Sequence, residues 1–431
     1  MISPRVPLVM IGYNEALSII LEQAKRLESE VCSVEQALGR LLSEAVLSAT
    51  CLPPFDNAAM DGFALRVEEC GAPAGTVFAV DGVQAAGDAS LAAETYAMEV
   101  MTGACIPTGL NTVVPVEQVE VVERHDDGAV RRIRLHKAVP AHQHIRRTGE
   151  DVTSGISIMR AGEAVQPQHI MLLKSLGVLR IAVTRAPRVA VICTGRELID
   201  DPSQPLQSGQ IRNSNGPFIA ARIAAAGAQC VYQETVGDEQ EAFLAALESA
   251  LQARADVVLS TGAVSMGRYD FIPDALHACG ASVLFHKVRI RPGKPLLFAR
   301  LAGSVLFFGL PGNPVAAAVG FRFFVEPALR ATLGMAPEQP LQVPLATAFE
   351  RRAPMTYYLK ARLFANSSGR LHTALLPGQE SFRMLPLLEA NNWTVIPEEV
   401  SSCASGTCVE VYGLGHLQPP AIDFSVGEEA P

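Results

Sequence analysis

Apolar and polar positions follow two rhythms along the chain. From Arg188 onward, short unbroken apolar runs alternate with amphipathic stretches. "RVAVICTG", "CVYQETVG", "ADVVLSTG" and "SVLFFGLPG" read as strands. "NGPFIAARIAAAGA", "DEQEAFLAALESALQAR", "DFIPDALHACG" and "PVAAAVGFRFFVEPALRATLG" read as helices between and after them. Strands that are apolar on both sides belong in a parallel sheet covered by helices on both faces. "ASVLFHKVRIRP" adds a further strand with no helix before the next one.

Before Arg188 the pattern is different. Helical periodicity in "YNEALSIILEQAKRL" and again in "SVEQALGRLLSEAVL" predicts two packing helices. From Cys51 to about Asp151, short β-prone runs broken by Gly, Pro and Asp predict a mostly β insertion. "QPQHIMLLKSLGV" reads as a helix, and Ala186-Pro187 as a linker. The tail from about Ala336 returns to β texture, with turns at "NSSGR" and "ASGT". The expected fold is a multidomain α/β and β protein. It has a helical or mixed N-terminal domain (residues 1–50 with 152–186), a β-rich inserted domain (51–151), a central parallel α/β domain (187–336) and a barrel-like C-terminal β domain (337–431).

Composition narrows the function classes. A chain of 431 residues is long enough for two to four domains. Its net charge of -9 argues against a nucleic-acid partner, so any anionic ligand must be met by locally placed cations. The nine cysteines show no C-x-x-C pair and read as reduced thiols. The first twenty residues lack the features of a signal peptide, and charged residues interrupt the best apolar stretch. A cytoplasmic protein with no membrane partner is expected. The nine histidines form no H-E-x-x-H, which argues against a zinc hydrolase.

In an open parallel sheet, ligands bind at the carboxyl ends of the strands. The residues there are Thr194 to Glu197, Gly237-Asp238, Ser260-Thr261-Gly262 and Gly309 to Asn313. Asn313 before Pro314 reads as a helix start, whose unpaired N–H groups suit an oxyanion, although a tight strand-to-helix turn explains the same residues. In "HKVRIRPGKP", an extended chain puts Lys287, Arg289 and Arg291 on one face, and Lys294 follows the Pro-Gly turn. Such a set is either a solvated strand face or an oxyanion cradle. The loop "STGAVSMGRYD" misses the phosphate-binding P-loop and the nucleophile elbow. It remains a Ser/Gly loop able to wrap phosphate, and its Asp270 fits either a metal or a helix cap. In the β insertion, Asp56 and Asp61 lie in a Pro/Asn/Gly-rich loop. Arg146, Arg147, Glu150 and Asp151 form a mixed-charge cluster at a domain border, for ligand binding or for structure.

Six motifs in order, "PPFDNAAMDGFA", "MTGACIPTGLNTVVPVEQ", "RRTGEDV", "STGAVSMGRYDF", "RIRPGKPL" and "GLPGNPVAA", resemble the molybdopterin molybdenumtransferase family, the MoeA and gephyrin E-domain type. The resemblance covers nearly the whole chain. It implies a homodimer of four-domain subunits with a central domain like the molybdopterin adenylyltransferases. It also implies insertion of molybdate into adenylylated molybdopterin with Mg2+ and release of AMP, with molybdopterin adenylyltransferase and apo-molybdoenzymes as partners. The catalytic positions implied are Asp61, Thr102, Glu197, Asp238 and Asp270, with Asp238 and Asp270 on the metal. The substrate-binding positions implied are Arg146, Asp151, Lys287, Lys294, Pro311, Pro314 and Ser381, to which the reading of the strand ends and the cation segment adds Thr261, Gly262, Ser265, Arg291, Gly312 and Asn313. In the family dimer, Asp61 and Asp151 reach the cleft of the other subunit.

The sequence departs from the family pattern at Arg196, Asn213, Ala263, Arg291 and Glu380. Arg196 and Asn213 replace acids, Ala263 and Glu380 replace glycines, and Arg291 replaces lysine. The alternatives to the transferase are a gephyrin-like scaffold, a paralogue with an altered site, and the adenylyltransferase step, whose fold would cover the middle domain alone.

Overall fold

The structure, a computed structural model, describes residues 10–93, 96–264, 271–350 and 354–424. The chain forms two compact units. One comprises Met1–Glu30, Gly39–Leu41 and Val183–Pro431, and the other Val31–Leu38 and Leu42–Ala182.

The first unit is built on a six-stranded sheet of β1 (Arg188–Thr194), β2 (Gln229–Val236), β3 (Val257–Thr261), β4 (Ser282–His286), β5 (Leu297–Arg300) and β6 (Leu306–Leu310). Their spatial order is β2-β1-β3-β6-β5-β4. The four strands read from the sequence, β2, β1, β3 and β6, are parallel. β5 is antiparallel to both β6 and β4, so the sheet is mixed at one edge. The helices α1 (Asn215–Ala225), α2 (Gln240–Gln252), α3 (Ile272–Ala278) and α4 (Pro314–Gly320) follow β1, β2, β3 and β6 in turn, as expected.

The apolar runs are unbroken because alternate residues enter two different cores. Val189, Val191, Leu259 and Phe308 pack with Ile219 and Ile223 of α1, whereas Ala190, Ile192, Val258 and Phe307 pack with Phe243 and Leu247 of α2 and with Ile272 and Leu276 of α3. At the amino end of the sheet, Arg185 makes two 2.7 Å bonds to the Asp256 carboxylate, which also accepts the Arg188 N–H at 2.8 Å. This pairing fixes the starts of β1 and β3 and leaves their carboxyl ends for the site.

α4 continues through a π-helical turn, Phe321–Val325, into α5 (Glu326–Leu333), which ends at Gly334 in the left-handed conformation that favours glycine. Glu326 has no solvent exposure. Its carboxylate pairs with Arg222 of α1, lies 3.4 Å from Arg322, and accepts the His416 N–H at 2.9 Å. Burial pushes the His416 imidazole down to about 3, with the Arg330 charge acting in the same direction.

The tail forms a second sheet of Leu341–Pro344, Thr356–Ala365, Leu371–Leu375, Asn392–Ile396 and Cys408–Tyr412, joined by Ile290–Arg291 from the α/β segment. A bridge between Leu345 and Thr373, with the Ala346 N–H donating to the Thr373 carbonyl at 2.8 Å, brings its two sides together in a barrel-like form.

The second unit holds a four-stranded sheet (Val83–Gln84, Ala97–Val100, Gly62–Leu65, Thr112–Pro115) and a three-stranded one (Val77–Ala79, Val130–Leu135, Val119–Arg124). Phe63, Leu65, Val114 and Ile133 fill one core, and Ala64, Met98 and Val113 another, as strand alternation requires. The second helix expected over residues 33–47 does not form. Its place is taken by the strand Ser29–Ser33, one turn of 3-10 helix at Glu35–Ala37 and the strand Val46–Leu47. Gly39, at φ +75, stops the helix, and Val46–Leu47 instead pairs with Ser157–Met159.

Removing Glu326 would leave the largely buried Arg222 guanidinium without its carboxylate, Arg322 with Glu338 alone, and the buried His416 N–H without its acceptor. Glu326→Ala should therefore destabilise this unit by about 3–5 kcal/mol. The measurement is the urea midpoint followed by fluorescence of Trp393, which lies in the adjacent core; an unmoved midpoint would show that the cluster contributes nothing.

Candidate functional site

The order β2-β1-β3-β6 reverses direction between β1 and β3, the position where open α/β sheets bind ligands. Here the backbones are laced together. The Thr194 hydroxyl donates to the Thr261 carbonyl at 3.0 Å, and the Gly262 N–H donates to the Leu310 carbonyl at 3.1 Å. Gly262 has φ +90, and a Cβ there would lie 2.5 Å from the Thr194 carbonyl oxygen. Only glycine allows this approach.

A cleft of about 620 Å³ opens over these strand ends. Its lining includes Glu197, Asp238, Thr261, Gly262, Pro311, Gly312, Asn313 and Pro314. The loop after β6 is held from the side by the Asn215 amide, which donates to the Gly312 carbonyl at 2.8 Å. Asn313 occupies the cap position of α4, and Pro314 opens the helix, as the sequence predicts. The Asn313 side chain makes no capping bond. It lines the cleft instead.

A second cavity of about 790 Å³ lies beside the first and is lined by Arg291, Lys294, Tyr357 and Ser381 among others. Pro295, Pro311, Asn313 and Phe382 line both. The expected row of cations on an extended strand does not exist. Lys287 adopts φ +80, and only Ile290–Arg291 is strand. The Lys287 N–H bonds the Leu296 carbonyl and the Val288 N–H the Lys294 carbonyl, so the segment folds back on itself. Arg289 pairs with Glu398 at 2.8 Å and donates to the Met10 carbonyl. Lys287 lines neither cavity. Arg291 and Lys294 remain as the cavity cations, with the Arg291 guanidinium 5.9 Å from the centre of the Tyr357 ring.

The second unit gathers the remaining candidates. The Asp61 carboxylate accepts the Thr102 N–H at 2.6 Å, and this bond, with one from the Thr102 side chain, holds its carboxyl below the usual range. Gly62 has to be glycine, because a Cβ would lie 1.9 Å from the Val114 carbonyl oxygen. Arg146 pairs in strand register with Asn57, and both it and Asp151 are exposed. Arg147 of the mixed-charge cluster is bound by Asp56 at 2.6 Å, and Asp56 also accepts the Thr148 N–H at 2.8 Å. Ser265 and Asp270 lie outside the described residues.

Three of the family departures have visible consequences. The Asn213 amide donates to Asp200 and Thr235, each at 2.9 Å, and its oxygen accepts the Gly216 N–H, so both ends of the amide are in use. Ala263 takes φ +49, a conformation that costs an L-residue roughly 1 kcal/mol and glycine little. Glu380 pairs with Arg383 at 3.1 Å.

Sequence reasoning passed over Arg212, Asn215, Pro295 and Phe382 as lining residues. The polar run "RNSN" before α1 was the available signal for the first two. Phe382 carries none, because an exposed aromatic in a loop has no pattern. No three His, Cys, Asp or Glu side chains converge as a metal site among the described residues. The cleft lining does hold two carboxylates, Glu197 and Asp238, the hard oxygen donors that Mg2+ takes one or two at a time, with water and substrate phosphate completing its shell. No helix among the described residues is long and apolar enough to cross a membrane.

Three family models match the chain in order: the "MoeA N-terminal region (domain I and II)" over residues 11–177, the "Probable molybdopterin binding domain" over 190–331 and the "MoeA C-terminal region (domain IV)" over 342–414. The chain is 34% identical to the molybdopterin molybdenumtransferase of Synechococcus elongatus, a match covering 94% of this chain and 100% of that protein. It is 33% identical, over the same shares, to the molybdopterin molybdenumtransferase 2 of Mycobacterium tuberculosis. Its fold is similar to that of the molybdopterin biosynthesis MoeA protein of Pyrococcus horikoshii, with 27% identity, a TM-score of 0.75 and coverage of 94% and 99% of the two chains. The order of the models and full-length relatives of this identity show that the chain belongs to the MoeA family of molybdopterin molybdenumtransferases.

Proposed function

We propose that the chain inserts molybdate into adenylylated molybdopterin with release of AMP, in a Mg2+-dependent reaction. The observation that carries this reading is the cavity at the β1–β3 switch point, with Glu197 and Asp238, and the cavity adjoining it, with Arg291 and Lys294. A phosphoanhydride and an oxyanion of molybdenum need donors and cations on one side and hard oxygen ligands on the other.

In this reading, the loops that follow Gly262 and Leu310, with Thr261, Gly262 and Gly312 in the cleft lining, receive the substrate phosphates, and Pro311 and Pro314 restrict the second loop. Lys294 and Arg291 bind oxyanion charge, and Ser381 offers a hydroxyl beside them. Asp238 and Asp270, the pair that the resemblance implies, would hold the Mg2+, which when bound neutralises phosphate charge, and Glu197 lines the same cleft as Asp238. Bond cleavage then rests on positioning and fixed electrostatics. The reading includes a cytoplasmic homodimer, in which Asp61 and Asp151 of one subunit reach the cleft of the other. It also includes hand-over of the product to apo-molybdoenzymes, with the adenylyltransferase supplying the substrate.

Purified protein given adenylylated molybdopterin, molybdate and Mg2+ should release AMP. Lys294→Ala should slow that release about 100-fold or more if it meets developing charge, the range seen when one such donor is removed. Absence of AMP release by the unaltered protein would overturn the proposed reaction.

The dimer has its own test. Asp61→Ala and Asp238→Ala should each be inactive alone, and an equal mixture allowed to exchange subunits should recover about a quarter of normal turnover, because about half the dimers are mixed and each of those holds one complete site of two. Mixtures that stay inactive would place both residues in the same subunit's site.

A further inference from the structure

Lys360 sits in the middle of the long strand Thr356–Ala365, where alternation predicts either an apolar core residue or a solvated lysine, and it is neither. It is 1% exposed. Its ammonium donates to three main-chain carbonyls, those of Gly378 at 2.6 Å, Arg383 at 3.0 Å and Glu380 at 3.5 Å. All three belong to one loop. Three N–H donors thus meet three acceptors, and no carboxylate is among these contacts. Burial pulls the Lys360 ammonium below the ordinary lysine range, partly offset by the Glu380 charge.

The same loop is tied to the Lys360 main chain. The Gln379 side chain accepts the Lys360 N–H at 3.0 Å and donates to the Lys360 carbonyl at 2.8 Å and to that of Leu376 at 2.7 Å. A buried cation facing only dipoles is expensive, and an apolar side chain of similar volume would fill the space at lower cost. What the ammonium provides, and a methyl group cannot, is a fixed spacing between the two ends of the 378–383 loop.

That spacing matters because of what the loop carries. Ser381 lines the second cavity, and Phe382 lines both. The Ser381 carbonyl accepts the Val315 N–H at 3.0 Å, which seats the loop on the first turn of α4. The connection therefore runs from the Lys360 ammonium, through three carbonyls, to the wall shared by the two cavities.

We propose that Lys360 is a positioning residue for the reaction: its buried ammonium sets the 378–383 loop against the start of α4 and so places Ser381 and Phe382 beside the anionic substrate. The inference rests on the proposed function for the identity of that substrate, but the clamp can be measured without it.

Lys360→Met keeps the volume and removes the charge, and Lys360→Arg keeps donors. Backbone hydrogen exchange in the unliganded protein should show protection of Val315 and of residues 379–383 falling about tenfold or more in Lys360→Met, with the β1, β3 and β6 amides unchanged. In the AMP-release assay, half-saturating molybdate should rise about tenfold while kcat at saturation stays within about twofold, the pattern of a misplaced binding wall. Lys360→Arg should recover most of both effects. If Lys360→Met does not fold, Lys360→Gln, with fewer donors, should show the same split at smaller size. Unchanged exchange at Val315 in a folded variant would overturn the clamp. A fall in kcat with unchanged half-saturation would overturn the positioning role. Failure of the unaltered protein to release AMP would instead count against the proposed reaction, leaving the exchange result to decide the clamp.

Discussion

The cleft depends on the approach of backbone to backbone at Gly262. With the Thr194 carbonyl oxygen 2.5 Å from where a Cβ would lie, β1 and β3 can end together only if one residue has no side chain. The Gly262 N–H then reaches the Leu310 carbonyl, and the loops after β1, β3 and β6 leave the sheet from nearly one point. The cleft is what remains above them. It inherits its rigidity from the two apolar cores beneath, since Val191 and Leu259 on one face and Ile192 and Val258 on the other leave the strands no freedom to slide.

Charge is used economically in this acidic chain. Arg185, Arg222, Arg289 and Arg322 are each engaged by a carboxylate, and these pairs join segments distant in sequence. Arg289, for example, joins the turn before the second cavity to Glu398. The cations that line that cavity, Arg291 and Lys294, are exposed, which is where positive charge can meet a ligand without first losing a structural partner.

The parallel sheet was legible because a strand covered on both faces has to be apolar throughout, and "RVAVICTG" and "ADVVLSTG" can be little else. The start of α4 was legible because Asn-Pro is a helix entry written in two residues. Other features depend on contacts that local sequence does not contain. Nothing in "HKVRIRP" announces the left-handed backbone of Lys287 or the distant Glu398 that takes Arg289. β5 escaped notice because "PLLFAR" follows a Pro-Gly-Lys turn so closely that it reads as part of the turn's exit. The helical periodicity of residues 33–47 was real but was outcompeted by Gly39 and by strand pairing with Ser157–Met159. Lys360 was invisible for a related reason: a lysine in a strand is read as solvated unless the loop that buries it is known.

The two cavities have Pro295, Pro311, Asn313 and Phe382 in common. A ligand that presses on this wall from one side changes the shape offered to a ligand on the other. Thermodynamic linkage makes such an effect mutual, so whatever the first occupant does to the affinity of the second, the second does to the first by the same factor. The partition is thus where any coupling between the two occupants would be carried, framed by Pro295 and Pro311 and edged by the exposed ring of Phe382.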